Sequence, residues 1–174
     1  MIQEVSPAPP SIAPAVTSPL PVMDPYLLVL HINDSTDDQI LFQAACRRGN
    51  VPFNWHVADS AEKGISYLRK LVDQSKELPV CWPDLILLDI VMPEASGFEV
   101  LKFIRGMPEL KHLPVVIFTG DNFPGNEQKS LALGANLFLL KPVVFQEVVG
   151  LARNLYELMR QMKKEGSSPS ALSE

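Results

Sequence analysis

The stretch DLILLDIVMPEASGFEVL, residues 84–101, decides how the rest of the chain is read. Leu85, Ile86, Leu87 and Leu88 form an apolar run of strand length, bounded by Asp84 and Asp89. A short continuous run of this kind suits a strand buried on both faces, the usual state in a parallel sheet. Met92-Pro93 interrupts the chain after Asp89, because proline lacks a backbone donor and fixes φ. Ser96-Gly97 then leads into a helix expected from Gly97 to Arg105, with Val100, Leu101 and Ile104 facing inward. A buried strand, a polar strand end, a loop and an amphipathic helix thus follow one another within 18 residues.

The same unit recurs on both sides. Upstream, Leu27 to Ile32 is an apolar run broken only by His31, and Asp37 or Asp38 is expected to cap a helix with Ile40, Leu41, Ala44 and Ala45 inward. Gly49 is its expected terminator. Phe53 to Val57 reads as a second strand, and Asp59 and Ser60 are candidate caps for a helix carrying Ala61, Ile65, Leu68 and Leu71. Downstream, Val115 to Phe118 reads as a fourth strand, Asn126 to Leu133 as a short helix ended by Gly134, and Leu137 to Leu140 as a fifth strand. A last helix is expected from about Val144 to Met162. The order βαβαβαβαβα predicts an α/β fold, a doubly wound five-stranded parallel sheet with helices on both faces.

The remaining sequence bounds the answer. The chain has 174 residues, 47% of them hydrophobic and 20% charged, an ordinary composition for one globular domain. A formal net charge of -5 gives no global basic footprint, so no nucleic acid partner is expected. Two cysteines, Cys46 and Cys81, make no disulfide framework and no C-x-x-C metal spacing, which suits a cytoplasmic location. No signal peptide pattern is present, and no apolar run approaches the roughly 18 residues of a membrane span. Residues 1–25 hold seven of the sixteen prolines and are expected to be a disordered Pro/Ala-rich arm. The expected folded domain is 26–162, with a polar tail over 163–174.

In doubly wound sheets functional groups gather beyond the carboxyl ends of the strands. Asn33 and Asp34 follow the first strand, Asp89 the third, Thr119-Gly120 the fourth and Lys141-Pro142 the fifth. Singly, each suits a turn, a cap or a solvated loop. Jointly they bring carboxylates, a hydroxyl and an ammonium to one edge. Asp34 and Asp89 offer oxygen ligands to a hard cation such as Mg²⁺. Asp89 is a candidate nucleophile toward phosphorus, Thr119 a donor to a phosphoryl oxygen, and Lys141 a point charge for phosphate.

From about Tyr26 to Met162 the chain resembles response-regulator receiver domains. The stretches that carry the likeness are VLHINDSTDD (29–38), residues 84–101, LPVVIFTG (113–120) and GANLFLLKPV (134–143). The long loop before Asp84 looks most like the small receivers associated with phytochrome-type kinases. The resemblance implies a flavodoxin-like (βα)5 fold of strand order 2-1-3-4-5, the arrangement for which a chemotaxis receiver is a standard example. It implies that Asp89 is the phosphoacceptor, that Asp34 and the Val91 carbonyl ligate Mg²⁺, and that Asn33 acts on the metal through water. It further implies Thr119 as the switch hydroxyl, Lys141 as the phosphate-contacting lysine, Phe138 as the aromatic switch and a cis Lys141-Pro142 bond. Asn33 stands where receivers usually carry an acid, so weaker Mg²⁺ binding is expected.

The implied function is a phosphorylation-activated switch of a two-component system, loaded by a sensor histidine kinase or phosphotransfer protein. Such a module is not an enzyme in the ordinary sense, since it catalyses only its own phosphorylation and dephosphorylation. About a dozen residues follow Met162, so output is expected through a downstream protein partner or a phosphorelay. Val148, Leu151, Leu155, Leu158 and Met162 stripe the last helix, and its distal turns are a candidate homodimer face. A receiver-like binding module that switches without phosphate is the alternative, motivated by Asn33. A phosphohydrolase with an aspartyl nucleophile would need a second acid two residues on, where Val91 stands. No G-x-G-x-x-G or P-loop follows the first strand, which argues against a nucleotide-binding protein. His31, His56 and His112 form no ligand set, His31 is expected near the site entrance, and Trp55 and Trp82 are expected to pack.

Overall fold

A computed structural model of the chain describes residues 26–166. The expected N-terminal arm and residues 167–174 lie outside the described residues. The elements are β1 Leu27–Ile32, α1 Thr36–Gly49, β2 Phe53–Ala58, α2 Ala61–Ser75, β3 Leu85–Leu88, α3 Gly97–Gly106, β4 Val115–Thr119, α4 Asn126–Ala132, β5 Leu137–Leu140 and α5 Phe145–Gly166. The five strands form one sheet of order β2-β1-β3-β4-β5, every pair parallel. This is the doubly wound, flavodoxin-like arrangement expected from the alternation.

The continuous apolar runs are explained by two cores, one on each face of the sheet. Leu27, Val29, Leu85, Leu87, Val116 and Phe118 face α1 and α5, where they meet Phe42, Cys46, Val149 and Leu155. Their strand neighbours Leu30, Ile32, Ile86, Leu88, Val115 and Ile117 face the opposite way, onto Leu68, Val100, Leu101 and Ile104 of α2 and α3. Successive strand residues point to opposite faces, so a run apolar at every position fills both layers. Trp55 and Trp82 pack against the two cores, as expected.

Local details correct the sequence reading. The cap of α1 is Ser35, whose hydroxyl accepts from the Asp38 N–H at 3.2 Å, rather than Asp37 or Asp38. The buried face of α1 is Phe42, Ala45 and Cys46, while Ile40 and Leu41 are exposed. Packing against α5 sets this face, a constraint that local periodicity does not contain. The left-handed residue that ends α1 is Asn50, with φ 54°, not Gly49; Asn is among the few non-glycine residues that tolerate this region. α5 runs to Gly166, four residues past the expected end. Lys163 lies on that extra turn and pairs with Asp84 at 2.8 Å, which ties the helix to the loop before β3.

Candidate functional site

The polar residues that follow β1, β3 and β5 are each held by one further ladder bond. The Asn33 N–H donates to Ala58 O at 3.0 Å, the Asp89 N–H to Ile32 O at 2.9 Å, and the Lys141 N–H to Thr119 O at 2.8 Å. The residues beyond the strands are therefore held by the neighbouring strand. This converts a pattern of strand ends into a fixed constellation.

Asp34, Ser35, Asp38, Asp89, Val91, Thr119, Gly120, Asp121 and Lys141 line one cavity of about 590 Å³ at that edge. Asp89 lies at its base, 6% exposed. Its Oδ1 accepts from the Val91 N–H at 3.1 Å. Its Oδ2 accepts from Lys141 Nζ in a short charge-assisted bond. Thr119 is fully buried, and its hydroxyl accepts from the Asp121 N–H at 3.2 Å. The Lys141-Pro142 bond is trans, contrary to the expected cis form. An X-Pro bond intrinsically favours trans by about 0.5–1 kcal/mol, and Lys141 reaches Asp89 from that geometry.

The loop after Asp89 shows why Ser96 and Gly97 stand where they do. Ser96 Oγ donates to Ile90 O at 3.1 Å and accepts from the Phe98 N–H at 3.3 Å, so one side chain closes the loop and caps α3. The Gly97 N–H also donates to Ile90 O, at 3.2 Å. A Cβ at Gly97 would lie 2.1 Å from Asp89 O, a backbone atom, so no larger residue fits without moving the Asp89 main chain.

Asn33 is fully buried and is not among the cavity-lining residues. Its Oδ1 accepts from the Ser35 N–H at 2.9 Å, while Nδ2 has no protein acceptor among the described residues. His31 is not at the entrance. It is 1% exposed, beneath the site, against the rings of Phe42 and Trp55. Burial, reinforced by the Lys141 charge, pushes its pKa down to about 4, so the imidazole is neutral near pH 7.

The donor set fits a hard cation. Two carboxylates, Asp34 and Asp89, share the cavity with Val91, whose carbonyl is a third candidate ligand, and Mg²⁺ favours few protein oxygens with water completing the shell. Among the described residues no cluster of three or more His, Cys, Asp or Glu side chains is arranged as a metal site.

Sequence reasoning missed Asp38. Lys141 Nζ lies 2.6 Å from its Oδ2, so the lysine bridges Asp38 and Asp89. The available signal was an aspartate one turn into a helix that starts directly after a strand end. Phe138 is partly buried and packs with the α2–α3 core. It pairs with Ile117 while Leu140 pairs with Thr119, which puts Phe138 and Thr119 on the same sheet face, diagonal to each other.

Residues 29–153 match the response regulator receiver domain family. The chain belongs to that family. This receiver is 32% identical over 127 residues to the two-component response regulator ORR1 of Oryza sativa subsp. indica, a match that covers 72% of this chain and 53% of the rice protein. It thus spans about half the length of that relative. The phosphorylated cyanobacterial phytochrome response regulator RcpA superposes with a TM-score of 0.68 at 25% identity, over 79% of this chain and 96% of that one. The Mn²⁺-bound form of the response regulator Rcp1 shares the fold, with a TM-score of 0.59 at 22% identity, over 85% of this chain and 99% of that one. The likeness to a phytochrome-associated receiver agrees with the sequence reading. No helix among the described residues is long and apolar enough to cross a membrane.

Proposed function

We propose that this receiver is a phosphorylation-activated switch that takes a phosphoryl group onto Asp89 from a histidine kinase or phosphotransfer protein. The observation that carries the reading is Lys141 on Asp89 at the base of a cavity that Thr119 also lines. An Asp89 carboxylate oxygen attacks phosphorus, the P–N bond to the donor imidazole breaks, and the imidazole leaves with the bonding electron pair and takes up a proton. Lys141 stays within reach of the phosphoryl oxygens and offsets their charge. Catalysis here is positioning and electrostatics, since the phosphoryl group is transferred through a loose transition state. Asp34, Asp89 and the Val91 carbonyl would hold a Mg²⁺ ion, whose charge would offset that of the carboxylates and the incoming phosphoryl group.

The new group carries roughly -1.5 to -2 charges and three acceptor oxygens. Thr119 turns its hydroxyl from the Asp121 N–H toward one of them. Phe138, diagonal to Thr119 on the same face, takes the space released. The surface of α4, β5 and α5 then presents a new shape to a downstream protein. A change from 1:99 to 99:1 needs about 5.5 kcal/mol of differential stabilisation. Leu158 and Met162 are exposed on the distal turns of α5 and supply a candidate homodimer face.

Intact-mass spectrometry after incubation with acetyl phosphate and Mg²⁺, beside Asp89→Asn, tests the reading. One phosphoryl adduct, dependent on Mg²⁺ and missing in the variant, is the expected result. A folded protein that takes no adduct would leave the phosphate-independent binding module instead.

A further inference from the structure

Four aspartates, Asp34, Asp38, Asp89 and Asp121, share the cavity with one lysine. Their carboxylates are not equivalent. Asp121 is turned into its own loop, where it accepts from the Phe123 N–H at 2.9 Å and from Asn126 Nδ2 at 2.9 Å. Asp34 and Asp89 belong to the candidate cation site. Asp38, outside both groups, pairs with Lys141 at 2.6 Å from a helix 103 residues away in the chain. The lysine side chain is 15% exposed and the Asp38 side chain 37%, so water screens this pair only in part.

An ammonium group has three donors and a single charge. Asp38 and Asp89 occupy two donors and more than balance the charge. A dianionic phosphoryl donor that enters the cavity therefore meets a lysine already neutralised and a carboxylate beside it. We propose that Asp38 is a positioning residue that competes with the phosphoryl group for Lys141, so that the first turn of α1 sets how readily Asp89 is loaded. This rests on the reading of Asp89 as phosphoacceptor.

The test is the initial rate of adduct formation against acetyl phosphate concentration, at saturating Mg²⁺, by intact mass. Asp38→Asn should lower the half-saturating acetyl phosphate concentration by about three- to tenfold, as expected for one partly screened charge, with the maximal rate within about twofold. Asp38→Glu, which restores the charge, should return the value toward that of the unaltered protein. Asp37→Asn removes an equal charge from the same helix turn outside the cavity, and should leave the value unchanged. Asp38→Ser is the second variant should the Asn form not fold. An unchanged or raised half-saturation in the Asp38 variants, or an equal drop with Asp37→Asn, overturns the proposal while the phosphoacceptor reading stands. No adduct on the unaltered protein overturns both.

Discussion

Cys46 and Cys81 illustrate how the fold divides like residues. Burial pushes the Cys46 thiol up to about 12, while Cys81 is exposed. The thiolate is the reactive form, so a thiol reagent at pH 8 should label one cysteine in the native protein and two after denaturation. Mass spectrometry after brief labelling counts them. His31 gives a second outcome. Its folded pKa of about 4 lies below the ordinary 6.5, so between those values the unfolded chain binds the proton and the folded one does not. Stability is complete above pH 6.5 and falls as pH drops through this window, by about 3 kcal/mol from this group. His31→Leu should show a shallower loss of Tm from pH 6.5 to 4 than the unaltered protein. Asn33→Asp should do the reverse to metal dependence. A carboxylate in that fully buried position is costly without a cation, so Tm should fall in chelator and recover more on adding Mg²⁺ than it does with Asn33.

At the scale of elements, the loop from Asp89 to α3 depends on one missing side chain. Gly97→Ala should cost upwards of about 2 kcal/mol, because the atom it would strike is backbone, and the displaced Asp89 should be phosphorylated more slowly. Chemical denaturation and adduct kinetics read the two effects separately. This loop was legible in the sequence. An apolar run stopped by a carboxylate, then Met92-Pro93 and Ser96-Gly97, names a strand, a turn and a helix start through local chemistry alone. The ends of β1 and β4 were legible for the same reason, since a buried apolar strand cannot hide where its polar residues begin, while β5 is a half-exposed edge strand whose apolar run ends at Lys141. α1 was not. Ile40 and Leu41 satisfy a helical period as well as Phe42 and Cys46 do, and only contact with α5 chooses between them. The Asp38–Lys141 pair was hidden for a related reason, because it joins α1 to the end of β5, elements brought together only by the sheet order. The trans Lys141-Pro142 bond was misjudged because the resemblance supplied that expectation, whereas nothing in the local residues demanded it.

For the whole molecule, the candidate site lies at the carboxyl ends of the strands and a second set of polar ties lies at their amino ends. Asp84 Oδ2 accepts from the Leu28 N–H at 2.8 Å, and its Oδ1 pairs with Lys163. Arg105 donates to Gly134 O at 2.8 Å, to Leu113 O at 3.0 Å and to Asn136 Oδ1 at 3.0 Å, and that same Oδ1 accepts from the Val115 N–H at 2.8 Å. Arg105→Met should therefore lower the denaturant midpoint by an amount worth about 2–4 kcal/mol, through the acceptors left bare. The rate of adduct formation on Asp89 should be unchanged. A strand of four residues spans roughly 13 Å, beyond the distance at which substitutions usually couple. The Arg105 and Asp84 ties and the proposed phosphoacceptor therefore occupy opposite shores of one sheet. Random change along the Arg105 and Asp84 shore can drift in stability without altering what the switch responds to. Change along the Asp89 shore bears on the proposed phosphoacceptor directly, and at Gly97 it costs stability as well.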